Sequence, residues 1–109
     1  MDKQLELSEA LKQLLSEGII HFAYRKKTGE LRIAKGTTQL EIIPEDSRPK
    51  GTGTEKENTK AYWDLSVGGW RAYNPLCVVW VETVGQMALT NEELKQLNDY
   101  VENINYGEA

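Results

Sequence analysis

The sequence is poor in the residues that build most catalytic and metal centres. Among its 109 residues there is one cysteine, Cys77, and one histidine, His21. A single cysteine cannot close a disulfide within the chain, and a zinc site needs several cysteine or histidine ligands. A serine–histidine–aspartate triad could form only around His21, and the acidic residues show no paired spacing for acid–base chemistry. We therefore expect a protein that is not an enzyme and that holds no metal and no cofactor.

Long apolar runs are also absent. No stretch approaches 18 consecutive apolar residues, so we expect no membrane span. The first 20 residues carry acids at positions 2, 6, 9 and 17, which is unlike a signal or transit peptide. A hydrophobic share of 39% supports one core, and a net charge of −4 argues against a general polyanion binder. These features predict a single cytoplasmic domain spanning residues 1–109.

One internal segment has no apolar residue at all. Eight of the 17 residues from 44 to 60 are charged, and none belongs to the hydrophobic set. Such a composition cannot bury enough surface to offset the entropy of ordering the chain. We expect a mobile loop inside the domain, which is either functional or a tolerated insertion between two strands.

Helical periodicity appears at both ends of the chain. An apolar stripe predicts a helix over residues 5–17, with Ser8 as its N-cap and Gly18 as a left-handed residue at its end. Near the C-terminus, Thr90 and Glu93 have the spacing of a capping box, which predicts a helix over residues 91–105. The stripe residues are Leu7, Leu11, Leu14 and Leu15 in the first helix, and Leu94, Leu97, Val101 and Ile104 in the second.

Between the helices the apolar period changes to two, which is typical of strands. A hairpin is predicted around the polar turn 26–29, a third extended run over 38–43, and a second hairpin from 61–65 and 70–73. The apolar run 76–81 predicts a buried strand, with Cys77 as an inert buried thiol. The order indicates a mainly β, α+β fold: a small SH3-like or Sm-like antiparallel barrel of about five strands over residues 19–82, flanked by the two helices.

Charge is unevenly distributed along this chain. Residues 21–38 carry five cations against Glu30 alone, whereas residues 82–109 carry six acids against Lys95 alone. A basic hairpin can attract an anionic group even on an acidic protein, although a solvated polar face would give the same pattern. The five cations are Arg25, Lys26, Lys27, Arg32 and Lys35.

The second hairpin is rich in aromatic residues. Strand alternation predicts that Trp63 lies on the core side with Leu65, and that Arg71 and Tyr73 lie on the exposed side. An arginine beside a tyrosine can contact phosphate and stack on a base, as in barrels that bind oligonucleotides. Arg71 could equally pair with Asp64 across the hairpin.

Three segments resemble a known family. They are IHFAYRKKTGELRIAKGTT at 20–38, YWDL at 62–65 and WRAYNPLCVVWVE at 70–82. Their order is similar to that of the WYL-like, Sm-type SH3 barrel family, and above all to its small stand-alone versions from bacteria and phages. The sequence has Trp63-Asp64-Leu65 in place of the family's Trp-Tyr-Leu triplet, and no helix-turn-helix accompanies it.

The resemblance implies a binding module without catalytic activity. By position in the motifs, the family's pocket residues would be Tyr24, Arg32, Tyr62, Trp63 and Arg71. Together with the basic hairpin and Tyr73, this gives nine candidate ligand-binding residues, for a nucleotide or a single-stranded nucleic acid: Tyr24, Arg25, Lys27, Arg32, Lys35, Tyr62, Trp63, Arg71 and Tyr73. The alternative is a protein-interaction or inhibitor protein that docks a protein partner through its helices or a barrel edge.

Overall fold

A computed structural model describes residues 2–48 and 59–104 of the chain. Within them, two helices and six strands follow one another. They are α1 (Lys3–Glu17), β1 (Ile20–Arg25), β2 (Leu31–Thr37), β3 (Lys60–Asp64), β4 (Gly69–Tyr73), β5 (Val78–Val81), β6 (Gly85–Gln86) and α2 (Asn91–Glu102). Short 3₁₀ turns lie at Glu45–Ser47 and Pro75–Cys77. None of the described helices is long and apolar enough to cross a lipid bilayer.

The strands form one antiparallel sheet in the order β4-β3-β2-β1-β5-β6. This confirms the predicted mainly β fold with one helix before and one after the strands. Six strands are present rather than about five because the two-residue strand β6 extends the sheet beyond β5.

Both predicted hairpins are confirmed, and a glycine makes each turn possible. In the β1–β2 turn, the Gly29 N–H donates to the Lys26 carbonyl at 2.9 Å, and Gly29 has a φ of 90°. In the β3–β4 turn, the Gly68 N–H donates to the Asp64 carbonyl at 2.8 Å, and Gly68 has a φ of 66°. Residues that carry a Cβ rarely adopt these left-handed backbone conformations.

The sheet curls strongly, as expected for a small barrel. Strands β1 and β4 are three steps apart in the sheet, which would separate them by about 14 Å if the sheet were flat. Nevertheless, the ring centroids of Tyr24 on β1 and Tyr73 on β4 are 6.1 Å apart. The Tyr24 and Tyr62 hydroxyls lie 2.8 Å from each other. The curl thus brings residues from both hairpins to one concave face.

Each face of the sheet is covered by one helix. The concave face packs its aromatic rings against α1 through Leu7, Leu11 and Leu15. The opposite face packs Ala23, Val79 and Trp80 against Leu97 of α2. The predicted stripe of each helix therefore faces the sheet.

The predicted third strand over 38–43 is wrong. The Thr37 hydroxyl donates to the Leu15 carbonyl at 3.1 Å and accepts from the Gln39 N–H at 3.0 Å. The Gln39 carbonyl then accepts from the Ile42 N–H at 3.1 Å, so the chain turns. Hydrogen bonds of the Thr37 side chain, one to helix α1 and one to the nearby Gln39 N–H, thus replace the strand pairing that the alternating pattern predicted.

Helix ends differ from the prediction in three places. Helix α1 begins at Lys3 rather than residue 5, because Asp2 and not Ser8 caps it, with Asp2 Oδ1 accepting from the Gln4 N–H at 2.9 Å. Gly18 ends α1 in an extended conformation rather than a left-handed one. The capping box of Thr90 and Glu93 is confirmed, and α2 ends at Glu102 rather than 105.

Only part of the predicted loop over 44–60 lies among the described residues. Glu45–Ser47 form a 3₁₀ turn, and Lys60 already belongs to β3. Residues 49–58, on which the prediction of mobility mainly rests, lie outside the described residues.

Candidate functional site

A cleft of about 840 Å³ opens at one end of the concave face. This volume is within the range of small-molecule sites, roughly 300–1,000 Å³. The β1–β2 turn forms one wall, and the end of β4 with the following 3₁₀ turn forms the other. The lining residues are Tyr24, Arg25, Lys26, Lys27, Arg32, Thr59, Arg71, Ala72, Tyr73, Asn74 and Cys77.

The lining is positively charged on an acidic protein. It includes three arginines and two lysines, and no aspartate or glutamate is among the described residues that line it. In a concave site of this kind, fields of one sign add, and the local potential can oppose the sign of the net charge. The cleft is therefore suited to an anion, and the availability of each cation depends on its partners.

Arg25 is held by helix α2. Its Nε donates to Glu93 Oε2 at 3.0 Å, and its Nη2 donates to Glu93 Oε1 at 2.9 Å and to the Ala88 carbonyl at 2.8 Å. The hydrogen bonds from Arg25 and from the Thr90 N–H lower the pKa of Glu93 to about 2. The same carboxylate raises the pKa of Arg25. Arg25 thus serves as a structural link to α2 as well as a wall of the cleft.

Arg71 is held by a buried carboxylate. Its Nε lies 3.1 Å from Oδ2 of Asp64, which is 3% exposed. The N–H at Nε is buried and is not aligned well enough to make a hydrogen bond, so the contact is an ion pair only. The other oxygen of Asp64 accepts from the Ser66 N–H at 2.8 Å. The pairing of Asp64 with Arg71 across the second hairpin, one of the two predicted roles of Arg71, is therefore present.

The remaining cations are more available. Lys26 lies 3.4 Å from the exposed Glu30, a surface pair of the kind that contributes little. Lys27 is exposed and Arg32 is half-buried, and neither makes a hydrogen bond or ion pair with another residue in the described ranges. Arg32 lies opposite Tyr24 in the β1–β2 register and so faces the cleft side of the sheet.

The floor of the cleft is an aromatic cluster. The rings of Phe22, Tyr24, Tyr62 and Tyr73 all lie within 6.1 Å of one another, centroid to centroid. Burial, followed by the hydrogen bond with Tyr24, raises the pKa of Tyr62. Tyr73 is 4% exposed, so the prediction of an exposed Tyr73 is wrong. Alternation along β4 is regular, but it cannot show which side of an aromatic hairpin faces inward.

Six of the nine candidate residues line the cleft, namely Tyr24, Arg25, Lys27, Arg32, Arg71 and Tyr73. Tyr62 belongs to the aromatic cluster but is fully buried and does not line the cleft. Lys35 and Trp63 lie on the opposite face, where Lys35 pairs with His21 in the strand register and the Trp63 ring contacts that of Trp70 at 5.6 Å. Trp63 is 7% exposed, in keeping with its predicted core position, although the inner core is tyrosine and phenylalanine.

Sequence reasoning did not select five lining residues: Lys26, Thr59, Ala72, Asn74 and Cys77. Lys26 belongs to the same basic turn as Lys27, so its charge was a usable signal. Cys77 is half-buried in the 3₁₀ turn rather than buried in a strand, which corrects the expectation of a buried thiol. Pro75 starts that turn, and the Asn74 side chain accepts from the Leu76 N–H at 2.9 Å. The Asn74-Pro75 signal indicated the turn but not its orientation.

The single histidine lies away from the cleft. His21 Nδ1 is 2.8 Å from Glu82 Oε1, and its ring meets the edge of Tyr100 at a centroid distance of 5.8 Å. Within residues 2–48 and 59–104, no group of three histidine, cysteine, aspartate or glutamate side chains is placed to hold a metal ion. The cleft is thus the best-defined candidate site of the described structure.

Comparisons with known proteins identify the family. No solved structure matches the chain. The chain is 30% identical over 76 residues to the "Uncharacterized 11.5 kDa protein in Gp31-cd intergenic region" of Enterobacteria phage T4, a region that covers 67% of this chain and 74% of that protein. A family model described as WYL_2, Sm-like SH3 beta-barrel fold, matches residues 8–74, which include both hairpins. Since this match covers more than half of the sequence, the chain belongs to the WYL_2 family of Sm-like SH3 β-barrels.

Proposed function

We propose that the chain is a non-enzymatic binding module whose cleft holds a phosphate-bearing ligand, either a nucleotide or a single-stranded nucleic acid. The Sm-like SH3 barrel is a fold of small binding modules, which supports the general part of this proposal. The observation that carries the specific part is the charge of the cleft. Its described lining has five cations and no carboxylate, and one of these cations, Arg32, has no partner among the described residues.

Phosphate is the part of such a ligand that the cleft is best suited to recognise. Arginine binds phosphate oxygens through a planar fork of N–H donors, and both arginine and lysine supply charge. Base stacking is less well supported because the Tyr24 and Tyr73 rings pack against Phe22 and Tyr62 and are almost fully buried. We expect binding to depend on the number of phosphates more than on the identity of the base.

Calorimetric titration at low salt tests the proposal directly. The probes are a ribonucleoside triphosphate, the matching nucleoside without phosphate, and a 12-nucleotide single-stranded DNA. We expect the triphosphate or the DNA to bind and the nucleoside not to bind. The affinity should fall steeply as salt rises, because cationic side chains that contact phosphates displace the counterions bound there. The comparison of triphosphate with DNA distinguishes a free nucleotide from a nucleic-acid strand as the ligand.

Strand β2 offers a matched pair of variants for this test. Arg32→Gln and Lys35→Gln each remove one positive charge from the same strand, but Arg32 lines the cleft and Lys35 lies on the opposite face. We expect Arg32→Gln to weaken binding about tenfold, as for loss of one charge-assisted contact, and Lys35→Gln to change it less than about twofold. Equal effects of the two variants, or no binding of any probe by the wild type, would contradict the proposal.

The single cysteine provides a second readout. Cys77 is half-buried in the lining of the cleft, so its alkylation rate reports on occupancy. We expect ligand at a concentration near the wild-type Kd to slow the reaction of Cys77 with N-ethylmaleimide in the wild type, and to slow it much less in Arg32→Gln. An unchanged rate at saturation would show that the ligand binds elsewhere. Absence of any ligand response would favour the alternative of a protein partner.

A further inference from the structure

Arg25 connects the cleft to helix α2 through Glu93. Arg25 belongs to the cleft wall, yet two nitrogens of its guanidinium donate to the two oxygens of one carboxylate, at 2.9 and 3.0 Å. The third contact, with the Ala88 carbonyl at 2.8 Å, lies just before the same helix. One of the five cations of the cleft is therefore already neutralised when no ligand is present.

Glu93 is well anchored for this role. Its Oε1 accepts a second hydrogen bond from the Thr90 N–H at 3.0 Å, which completes the capping box of α2. A carboxylate in the first turn of a helix is also favoured by the helix dipole. The Glu93 side chain is largely buried whereas that of Arg25 is partly exposed, so solvent screens their interaction only in part.

We propose that Glu93 limits the affinity of the cleft by holding Arg25, so that an anionic ligand and the N-terminus of α2 compete for one guanidinium. This inference rests on the proposed function, because it assigns the element that regulates the same site. Coupling of this kind is reciprocal: the factor by which Glu93 weakens ligand binding is the factor by which the ligand weakens the link between Arg25 and α2. Helix α2 then senses whether the cleft is occupied.

The test is a gain of affinity, which damage to the fold would not produce. Glu93→Gln removes the charge but keeps an oxygen for the cap, since capping boxes accept Glu or Gln. Glu92→Gln is the matched control, because Glu92 is exposed in the same helical turn and forms no ion pair among the described residues. The probe is inorganic triphosphate, titrated by calorimetry at low salt. We expect Glu93→Gln to tighten binding about fivefold or more, and Glu92→Gln to change it less than about twofold.

A double-mutant cycle shows whether Arg25 carries the effect. In an Arg25→Gln background, Glu93→Gln should no longer tighten binding. Equal affinities for Glu93→Gln and Glu92→Gln, or a gain that persists without Arg25, would overturn the inference. If Glu93→Gln does not fold, Glu93→Asp withdraws the carboxylate by one methylene, and a smaller gain in the same direction is expected.

The results that would contradict the proposed function differ from those that would contradict the inference about α2. If the proposed function is wrong, the wild type will bind no triphosphate, or Arg32→Gln will bind it as well as the wild type. If Arg32→Gln binds more weakly than the wild type, but Glu93→Gln behaves as Glu92→Gln does, only the inference about α2 is wrong.

Discussion

Each hairpin has an arginine on the concave side of the sheet, Arg32 in the first and Arg71 in the second, but the two side chains have different partners. Arg32 on the β1–β2 hairpin makes no ion pair or hydrogen bond with the described residues, whereas Arg71 on the β3–β4 hairpin is paired with the buried Asp64. A count of charges gives the two arginines equal weight. In the part of the chain that the structure describes, Arg32 has no such partner, whereas Arg71 compensates a buried negative charge.

The difference predicts separate consequences for stability and for binding. Removing one member of a buried pair leaves the other without compensation, which costs far more than the pair contributes on balance. Removing a half-buried arginine that has no acidic partner among the described residues leaves no such charge behind. Variants of the two hairpins test this difference, and the free energy of unfolding is the first quantity to measure.

Arg71→Ala should have the largest effect on stability. It leaves Asp64, which is 3% exposed, without its cation, and we expect a loss of about 2–3 kcal/mol in the free energy of unfolding. Urea denaturation measures this loss. Adding Asp64→Asn to Arg71→Ala should recover part of it, because no buried charge then remains. A loss below about 0.5 kcal/mol would show that Asp64 does not depend on Arg71.

Gly36→Ala should have the next largest effect, at the point where the two hairpins touch. A Cβ on Gly36 would lie 2.6 Å from Cδ2 of Tyr62 and 3.2 Å from the Trp63 carbonyl oxygen. Overpacking of this kind costs about 1–3 kcal/mol. The matched control is Gly69→Ala, where the nearest atom would be 4.0 Å away. Equal melting temperatures for the two variants would contradict the prediction.

The link between the first hairpin and α2 should make a smaller, pH-dependent contribution. The pKa of Glu93 is lowered from 4.5 to about 2, chiefly by Arg25, so the unfolded chain takes up a proton before the folded one does. The stabilisation is therefore complete above about pH 4.5 and is lost as the pH falls toward 2. We expect it to be about 1 kcal/mol, since Arg25 is partly exposed. Denaturation at several pH values should show this component in the wild type and lack it in Glu93→Gln.

Arg32→Gln should have the smallest effect on stability. Since Arg32 has no ion pair or hydrogen bond to lose among the described residues, the substitution should change the free energy of unfolding by less than about 0.5 kcal/mol. We expect it to weaken ligand binding about tenfold all the same. Chemical denaturation without ligand measures the first quantity and titration the second. A large destabilisation would mean that Arg32 stabilises the fold as Arg71 does, which would contradict the proposed difference between the two hairpins.

Local patterns in the sequence were enough to predict most elements of the fold. The β1–β2 and β3–β4 turns are marked by Gly29 and Gly68, and the start of α2 by Thr90 and Glu93. Each signal acts within a few residues and is therefore readable without knowledge of the tertiary structure. The family motifs supplied the barrel, which these signals alone only suggested.

The faces of the strands could not be predicted in the same way. In the second hairpin, Tyr62 and Tyr73 fill the inner core, whereas the Trp63 ring packs against that of Trp70 on the outer face. Both faces are aromatic, so composition does not choose between them. The choice depends on the absence of a side chain at Gly36, where a Cβ would lie 2.6 Å from the Tyr62 ring. The two residues are 26 positions apart in the sequence, so local patterns do not connect them.

The curl of the sheet also determines at what stage of folding the cleft forms. Tyr24 and Tyr73 are 49 positions apart in the chain, yet their rings meet in the floor of the cleft. Contacts between distant positions form late, because the entropy of closing the intervening chain must be overcome first. A ligand of the cleft should consequently leave the folding rate nearly unchanged and lower the unfolding rate, because it binds only after the cleft has formed.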